Sequence, residues 1–329
     1  RRALPFARAS DGLSMSKMLP YLWYPLLFGA AIGGFCAMRA NDVPLLIALY
    51  TSIVLTGLAI VVLEISDAQR SDWRPRKTDV CTDALYMLVT QIATPRLLSM
   101  LALVLIARLV YDPSSGPWPH QWPLAAQALL MVLAVDFMRY WLHRACHRVP
   151  LLWRLHEVHH SPDIIYTLNT ARFHPLEKLL HFCFDTVLFL LLGVAPEVIA
   201  VYALLYSVNG FFQHCNARVR YGFLNYLVAS AETHRWHHAR DPKTASCNFS
   251  NTTIIWDLLF GTWYLPRNEI PDIGIMDRGY PQGFCAQMLA PFRSKSAARD
   301  HQSTDLSRGQ SRGPGQGPGQ GPGQEPGQG

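Results

Sequence analysis

The chain has 329 residues, half of them hydrophobic and only 16% charged, a balance that argues against a disordered or ordinary water-soluble chain and for a polytopic membrane protein. Lys and Arg exceed Asp and Glu by 29 to 23, and because many of the basic residues flank apolar stretches, the excess points to membrane-flanking loops and not to nucleic acid. The seven cysteines are odd in number and scattered with no C-x-x-C pair, which excludes a disulfide framework or thiolate zinc site as the organising feature and leaves them as small hydrophobes.

The chain opens on Arg1-Arg2, and its first apolar stretch has no cleavage pattern and is too long for a signal peptide, so a retained span is expected. Residues 20–38 and 43–65 are near-unbroken apolar runs, each close to the roughly 20 helical residues that cross about 30 Å of hydrocarbon. The short link 39–42 makes them a helical hairpin. A basic stretch, Arg70 to Lys77, follows. Residues 84–94 then read as interfacial or re-entrant, broken by Pro95-Arg96, with a third crossing over 97–110 and a fourth over 123–142.

The loop 111–122 is rich in Pro, Gly and Trp and has no Lys or Arg, whereas positive charge collects at the N-terminus, at 70–77 and around 144–154. Four crossings put those three basic clusters on one side, the cytosolic one. Residues 179–192 and 196–212 form a further apolar pair around Gly193-Val-Ala-Pro196, each arm short for a crossing. A hairpin that dips into the membrane and returns brings His214 back to the side of His174. After Pro266 the periodic signal fades, and the Gly-Pro-Gly-Gln repeat of 313–329 predicts disorder from about 296.

The expected fold is therefore all-α: a polytopic helical membrane protein with about four transmembrane helices, a short membrane hairpin and a cytosolic, helical, histidine-rich metal domain. Its expected divisions are a membrane region at 1–122, a catalytic domain at 123–266 and a C-terminal extension at 267–329.

Eight of the 13 histidines fall in three clusters, His143/His147, His156/His159/His160 and His234/His237/His238. Spacings of three and four put imidazoles on one helix face, Cβ atoms about 5–6 Å apart, near enough to share a metal. Without metal, so many rings in an apolar chain suffer desolvation and mutual repulsion on protonation. Imidazole suits iron, zinc, copper and nickel alike. His174 and His214 are weaker signals by themselves, and the lone His120, His181 and His301 read as surface or satisfied core residues. The string His156-Glu157-Val-His159-His160 also satisfies H-E-x-x-H, the zinc metalloprotease pattern with Glu157 as general base. That reading leaves five clustered histidines without a role. A metal-binding or transport protein is the third alternative.

Three boxes in the order H-x-x-x-H, H-x-x-H-H and H-x-x-H-H, the last beyond a hydrophobic hairpin, resemble the fatty acid hydroxylase/sterol desaturase superfamily. So do Asp136-Phe-Met-Arg-Tyr-Trp-Leu-His-Arg144, Leu152-Trp153, Arg172-Phe-His-Pro-Leu-Glu177, Asn248-Phe249 and Trp256-Asp257-Leu-Leu-Phe-Gly-Thr262; the likeness runs from about Asp136 to Leu265. The resemblance implies two iron ions held by the eight clustered histidines with His174 and His214, zinc being a possible occupant on isolation. It implies Asn248 and Asp257 beside the site, the latter pair as structural or ligand-supporting residues. It implies hydroxylation or desaturation of a sterol, fatty acyl or ether lipid by O2, with electrons from an external b-type cytochrome or a ferredoxin with its reductase. The membrane would be the endoplasmic reticulum in a eukaryote and the inner or plasma membrane in a bacterium. One departure, Ser250 where members often carry Gly, concerns the loop after Asn-Phe. Two glycosylation triplets, at Asn248 and Asn251, favour the opposite orientation and are discounted because they lie beside the ligands.

Overall fold

A computed structural model describes residues 15–108, 116–266 and 272–293. The first 14 residues, part of the loop expected outside, and the repeat expected to be disordered lie outside the described residues, as does His301.

Four helical stretches, Ser16–Ala40, Leu45–Ser66, Lys77–Leu101 and Leu124–Cys146, are long and apolar enough to cross a membrane. The chain is a helical polytopic membrane protein. Helices α1 (Met15–Ala40) and α2 (Leu45–Ser66) form the expected hairpin. Its turn uses a positive φ at Asp42, a residue type whose short polar side chain tolerates that region, and Arg39 donates to the Val43 carbonyl. Helix α2 is apolar on every side, as a span bounded by both lipid and protein must be. Leu49, Ile60 and Leu63 are buried, while Val62 and Ile65 face outward.

The third span departs from expectation. Helix α3 (Lys77–Tyr86) passes through a π-helical turn, Met87–Ala93, directly into α4 (Thr94–Arg108), so residues 84–94 are one continuous helical path with the crossing and not a separate interfacial segment. Pro95 does not break it. The Thr94 N–H reaches five residues back to Val89, and this widened turn gives the proline ring room where the regular i−4 carbonyl would clash. Residues 109–110 of the expected span lie outside the described residues.

Helix α5 (Leu124–Cys146) is the fourth span, and α6 (Pro150–His160) turns off its end with Pro150 in the first helical turn, where its missing N–H costs nothing. The hairpin is helical in both arms. Its first comprises α7 (Pro175–Phe182), a π-helical turn at Cys183–Val187 and α8 (Leu188–Leu191); its second is α9 (Pro196–His214). Gly193, at φ 82°, ends the first arm in the left-handed conformation that glycine adopts without a Cβ penalty.

Helix α9 is the hub. It packs on α1 and α2 through Tyr24, Phe35, Leu204 and Phe212, and on α5 through Met131, Val135, Val198 and Tyr202. The Tyr24 hydroxyl donates to Asn209 at 3.0 Å, tying the first span to the middle of α9. Short helices follow: α10 (Ala231–His237), α11 (Pro242–Ala245), α12 (Ile255–Leu259) and α13 (Phe284–Leu289). Ser230 caps α10 by accepting from the Thr233 N–H. No strand forms among the described residues; Val228 and Thr253 make an isolated bridge. The C-terminal end of α5, all of α6, the end of α9 and α10 thus meet at one end of the bundle.

Candidate metal centre

Nine of the ten histidines singled out in the sequence converge there. His143, His147, His156, His160 and His237 form one group and His159, His214, His234 and His238 another, with the ligand atoms of each group within 4.8 Å of one another. The groups share a wall: the His160 and His238 rings stack with centroids 4.3 Å apart.

The outward nitrogens reveal how the rings are held. The Nδ1 of His143 stands 2.7 Å from the Phe249 carbonyl, that of His237 2.7 Å from the Cys247 carbonyl, and that of His159 3.2 Å from the Arg172 carbonyl. The Nδ1 of His156 faces Glu177 at 2.7 Å, and that of His214 faces the Asn169 side-chain oxygen at 2.8 Å. All five partners are acceptors, Asn169 included, because its amide nitrogen is spent on the Ile164 carbonyl. Each of these rings therefore carries its proton on Nδ1 and turns a bare Nε2 inward.

Those inward atoms crowd together. His143 and His156 have Nε2 atoms 3.0 Å apart, and the Nε2 of His156 is 3.2 Å from that of His160. In the other group the Nε2 of His234 lies 3.0 Å from those of both His214 and His238. The Nε2 atoms of His147 and His237 are buried with no hydrogen-bond partner. Lone pairs aimed at lone pairs repel unless a cation lies among them, and a donor set of neutral imidazoles with the far N–H held by an acceptor is what iron, zinc and copper bind. Burial, reinforced by neighbouring rings, holds His159, His160, His237 and His238 well below the usual histidine pKa of 6.5, so these rings are neutral ligands at physiological pH.

His174 is not brought to either group. It is the N-cap of α7, where Pro175 turns the chain; its Nδ1 accepts from the Leu176 N–H at 3.2 Å and its Nε2 lies 3.2 Å from the Met288 carbonyl. Both nitrogens are engaged. Glu157, the general base of the zinc-protease reading, belongs to neither group.

Two residues that sequence reasoning passed over sit against the rings. Glu177 grips His156, and His181, expected to be an ordinary surface or satisfied core residue, is buried with its Nε2 3.5 Å from Glu177 and its Nδ1 unpartnered. Their i,i+4 spacing on a helix that follows Arg172-Phe-His was the available signal. His120 is exposed.

Asn248 and Asp257 build the loop that supports the site. Asn248 adopts φ 51° and donates to the Thr233 and Tyr264 carbonyls from a buried side chain. Asp257 accepts from the Phe249 and Ser250 N–H groups, both at 2.8 Å, and from the Thr262 hydroxyl at 2.7 Å. Left-handed backbone falls at Asn248 and not at Ser250, so a side chain at 250 is accommodated. Asp136 on α5 accepts from the Thr252 and Thr253 N–H groups, pinning the same loop to the fourth span.

A cavity of about 470 Å³ opens onto both groups. Tyr50, Val54 and Leu58 of α2 and Met87 and Ile92 of the π-helical turn of the third span line it, together with His143, His156 and His234.

A family model described as fatty acid hydroxylase matches residues 128–262. The ornithine lipid hydroxylase OlsE of Rhizobium tropici is 31% identical over 281 residues, 83% of this chain and 84% of that one. An alkylglycerol monooxygenase of Xenopus tropicalis is 33% identical over 49% of this chain and 34% of its own length, and methylsterol monooxygenase 2-2 of Arabidopsis thaliana is 31% identical over 50% and 62%. No solved structure matches. With a family model over its histidine boxes and a likeness to the bacterial enzyme that covers 83% of its length, the chain belongs to the fatty acid hydroxylase family.

Proposed function

We propose that the protein is a membrane-embedded, O2-dependent oxidoreductase that oxidises an unactivated C–H bond of a lipid at two irons, one in each histidine group. The observation that carries this reading is the meeting of two buried histidine groups with an apolar cavity, which His143, His156, His159, His214 and His234 line. Iron, when bound, supplies the redox chemistry by which O2 is activated and a C–H bond oxidised, with electrons from an external donor such as a b-type cytochrome or a ferredoxin with its reductase.

The chain's own contribution is positional. His143, His147, His156, His160 and His237 would hold one ion and His159, His214, His234 and His238 the other. Carbonyls of Phe249, Cys247 and Arg172, the Asn169 amide and the Glu177 carboxylate fix five of these rings in the tautomer that leaves Nε2 free. The apolar walls from α2 and the π-helical turn of the third span exclude water and receive a lipid chain. The match to the ornithine lipid hydroxylase over most of both chains supports hydroxylation of a polar-headgroup membrane lipid ahead of desaturation. The histidine face is proposed to point to the cytosol, consistent with the basic clusters at 70–77 and 144–154, in the plasma membrane of a bacterium or the endoplasmic reticulum of a eukaryote.

The test is metal content and turnover together. Purified protein should carry about two irons per chain and consume O2 with a lipid and a reductant, and cells with His237→Ala should lose a hydroxylated lipid. A single zinc with peptide cleavage abolished by Glu157→Gln would establish the protease instead.

A further inference from the structure

Between α1 and α5, on the histidine side of the bundle, two short elements expose large apolar side chains. One is the 3-10 turn Gly222–Tyr226 with the adjoining Leu227; the other is α12 with Phe260. Phe223 is 72% exposed and Leu259 65%, and Leu227, Ile255, Leu258 and Phe260 are exposed beside them. The two elements are one surface. The Ile254 N–H donates to the Leu227 carbonyl, Val228 bridges Thr253, and the Tyr226 and Trp263 rings stack with centroids 5.0 Å apart. The one charged residue within the two elements, Asp257, is buried and turned into the Phe249–Ser250 loop. A contiguous apolar surface of this kind seldom faces water on a soluble domain.

Depth decides what covers it. Phe137 and Trp141 of α5, themselves exposed, touch this surface, with Phe137 4.9 Å from Trp256 and Trp141 5.0 Å from Phe260 between ring centroids. At a rise of 1.5 Å per residue these two lie about 20 and about 26 Å along α5 from Leu124, within the ~30 Å that hydrocarbon occupies. At the other edge, a Cβ on Gly222 would stand 3.6 Å from the ring of Tyr21, and the Arg220 N–H donates to the Pro20 carbonyl. Tyr21 is about 28 Å from the far end of α1 by the same rise, again at the hydrocarbon boundary. Tyr226, Trp263 and Tyr264 collect where aromatic side chains with a polar atom favour the membrane interface.

We propose that Gly222–Tyr226 and Ile255–Leu259 form an in-plane platform immersed in the lipid leaflet on the histidine side, so that the catalytic domain is partly submerged and does not stand on the membrane. The proposal rests on the spans and is independent of the metal and the reaction.

Spin-label accessibility tests it. Exposed Cys36, Cys81, Cys183 and Cys285 are replaced by Ser, and single labels are placed through Leu259→Cys, Phe223→Cys, Leu55→Cys on the outer face of α2, and Asp163→Cys on an exposed loop. In phosphatidylcholine vesicles, labels at 259 and 223 should collide with O2 in preference to a water-soluble nickel chelate. Their ratio should be several-fold above that at 163 and near that at 55, the last position reporting that the bundle is inserted. A label at either 259 or 223 that follows 163 overturns the platform.

Discussion

The Nε2 atoms of His143 and His156 stand 3.0 Å apart although each ring donates its other nitrogen's proton elsewhere, His143 to Phe249 and His156 to Glu177. No hydrogen bond can join them in that state. On the proposed reading a cation would lie at this contact, and Glu177 is the carboxylate that holds the His156 ring.

Glu177→Gln should therefore weaken iron binding about 10- to 100-fold, because an amide still reaches His156 but no longer raises its basicity. Iron titration of the stripped protein measures this. Unchanged affinity would remove Glu177 from the site.

His174→Ala and His237→Ala should separate. The first loses a helix cap, about 1 kcal/mol, and keeps both irons; the second empties the five-histidine group. Metal analysis of the two purified variants decides, and an iron-deficient His174→Ala protein would contradict the geometry.

Acidification should destabilise the metal-free protein. His159, His160, His237 and His238 are held neutral in the fold, chiefly by burial, whereas the same rings in an unfolded chain protonate near 6.5. Below that pH the unfolded state binds more protons, so stability falls as pH drops from 7 to 5 and is level above 7, each ring contributing up to about 1.4 kcal/mol per pH unit. Thermal unfolding of chelator-stripped protein in lipid nanodiscs gives the slope; a rise in stability toward pH 5 would be the wrong sign.

Gly57→Val should narrow the cavity. A Cβ at 57 lies 3.1 Å from the Phe211 ring, which itself lines the chamber and would be pushed inward. Preference for shorter lipid chains should increase by roughly tenfold or more, with iron content unchanged. Product analysis across chain lengths is the measurement, and an unaltered profile would place the substrate elsewhere.

Arg139 and Asp185 form a buried two-pronged ion pair between α5 and the first arm of the hairpin. Asp185→Asn should cost about 3–5 kcal/mol by leaving a buried guanidinium without its counter-charge, and Arg139→Met with Asp185→Leu should recover most of that. Equal losses in the single and double variants would show that the pair contributes beyond its own neutralisation.

The helical membrane architecture, with its first two spans, the fourth span and the hairpin, was legible because each apolar run carries its own signal, as was the convergence of nine histidines. Pro95 misled because its effect depends on the wide turn before it, within which the Thr90 hydroxyl reaches the Ala171 carbonyl 81 residues away. The fold leaves His174 outside both histidine groups, and sets His181 against Glu177, for a similar reason. Spacing places a ring on a helix face, but only the fold tells that the Met288 carbonyl is waiting for one and Glu177 for the other.

The two histidine groups differ in how they are distributed along the chain. Four of the five rings in the first lie between 143 and 160, while three of the four in the second lie at the end of the hairpin or beyond it, at 214, 234 and 238. A polypeptide still emerging from the ribosome at Phe182 would own most of one metal site and a quarter of the other. On the proposed two-iron reading, metal insertion would be ordered by synthesis, with the second ion closing the assembly only once α9 and α10 have been laid against the spans.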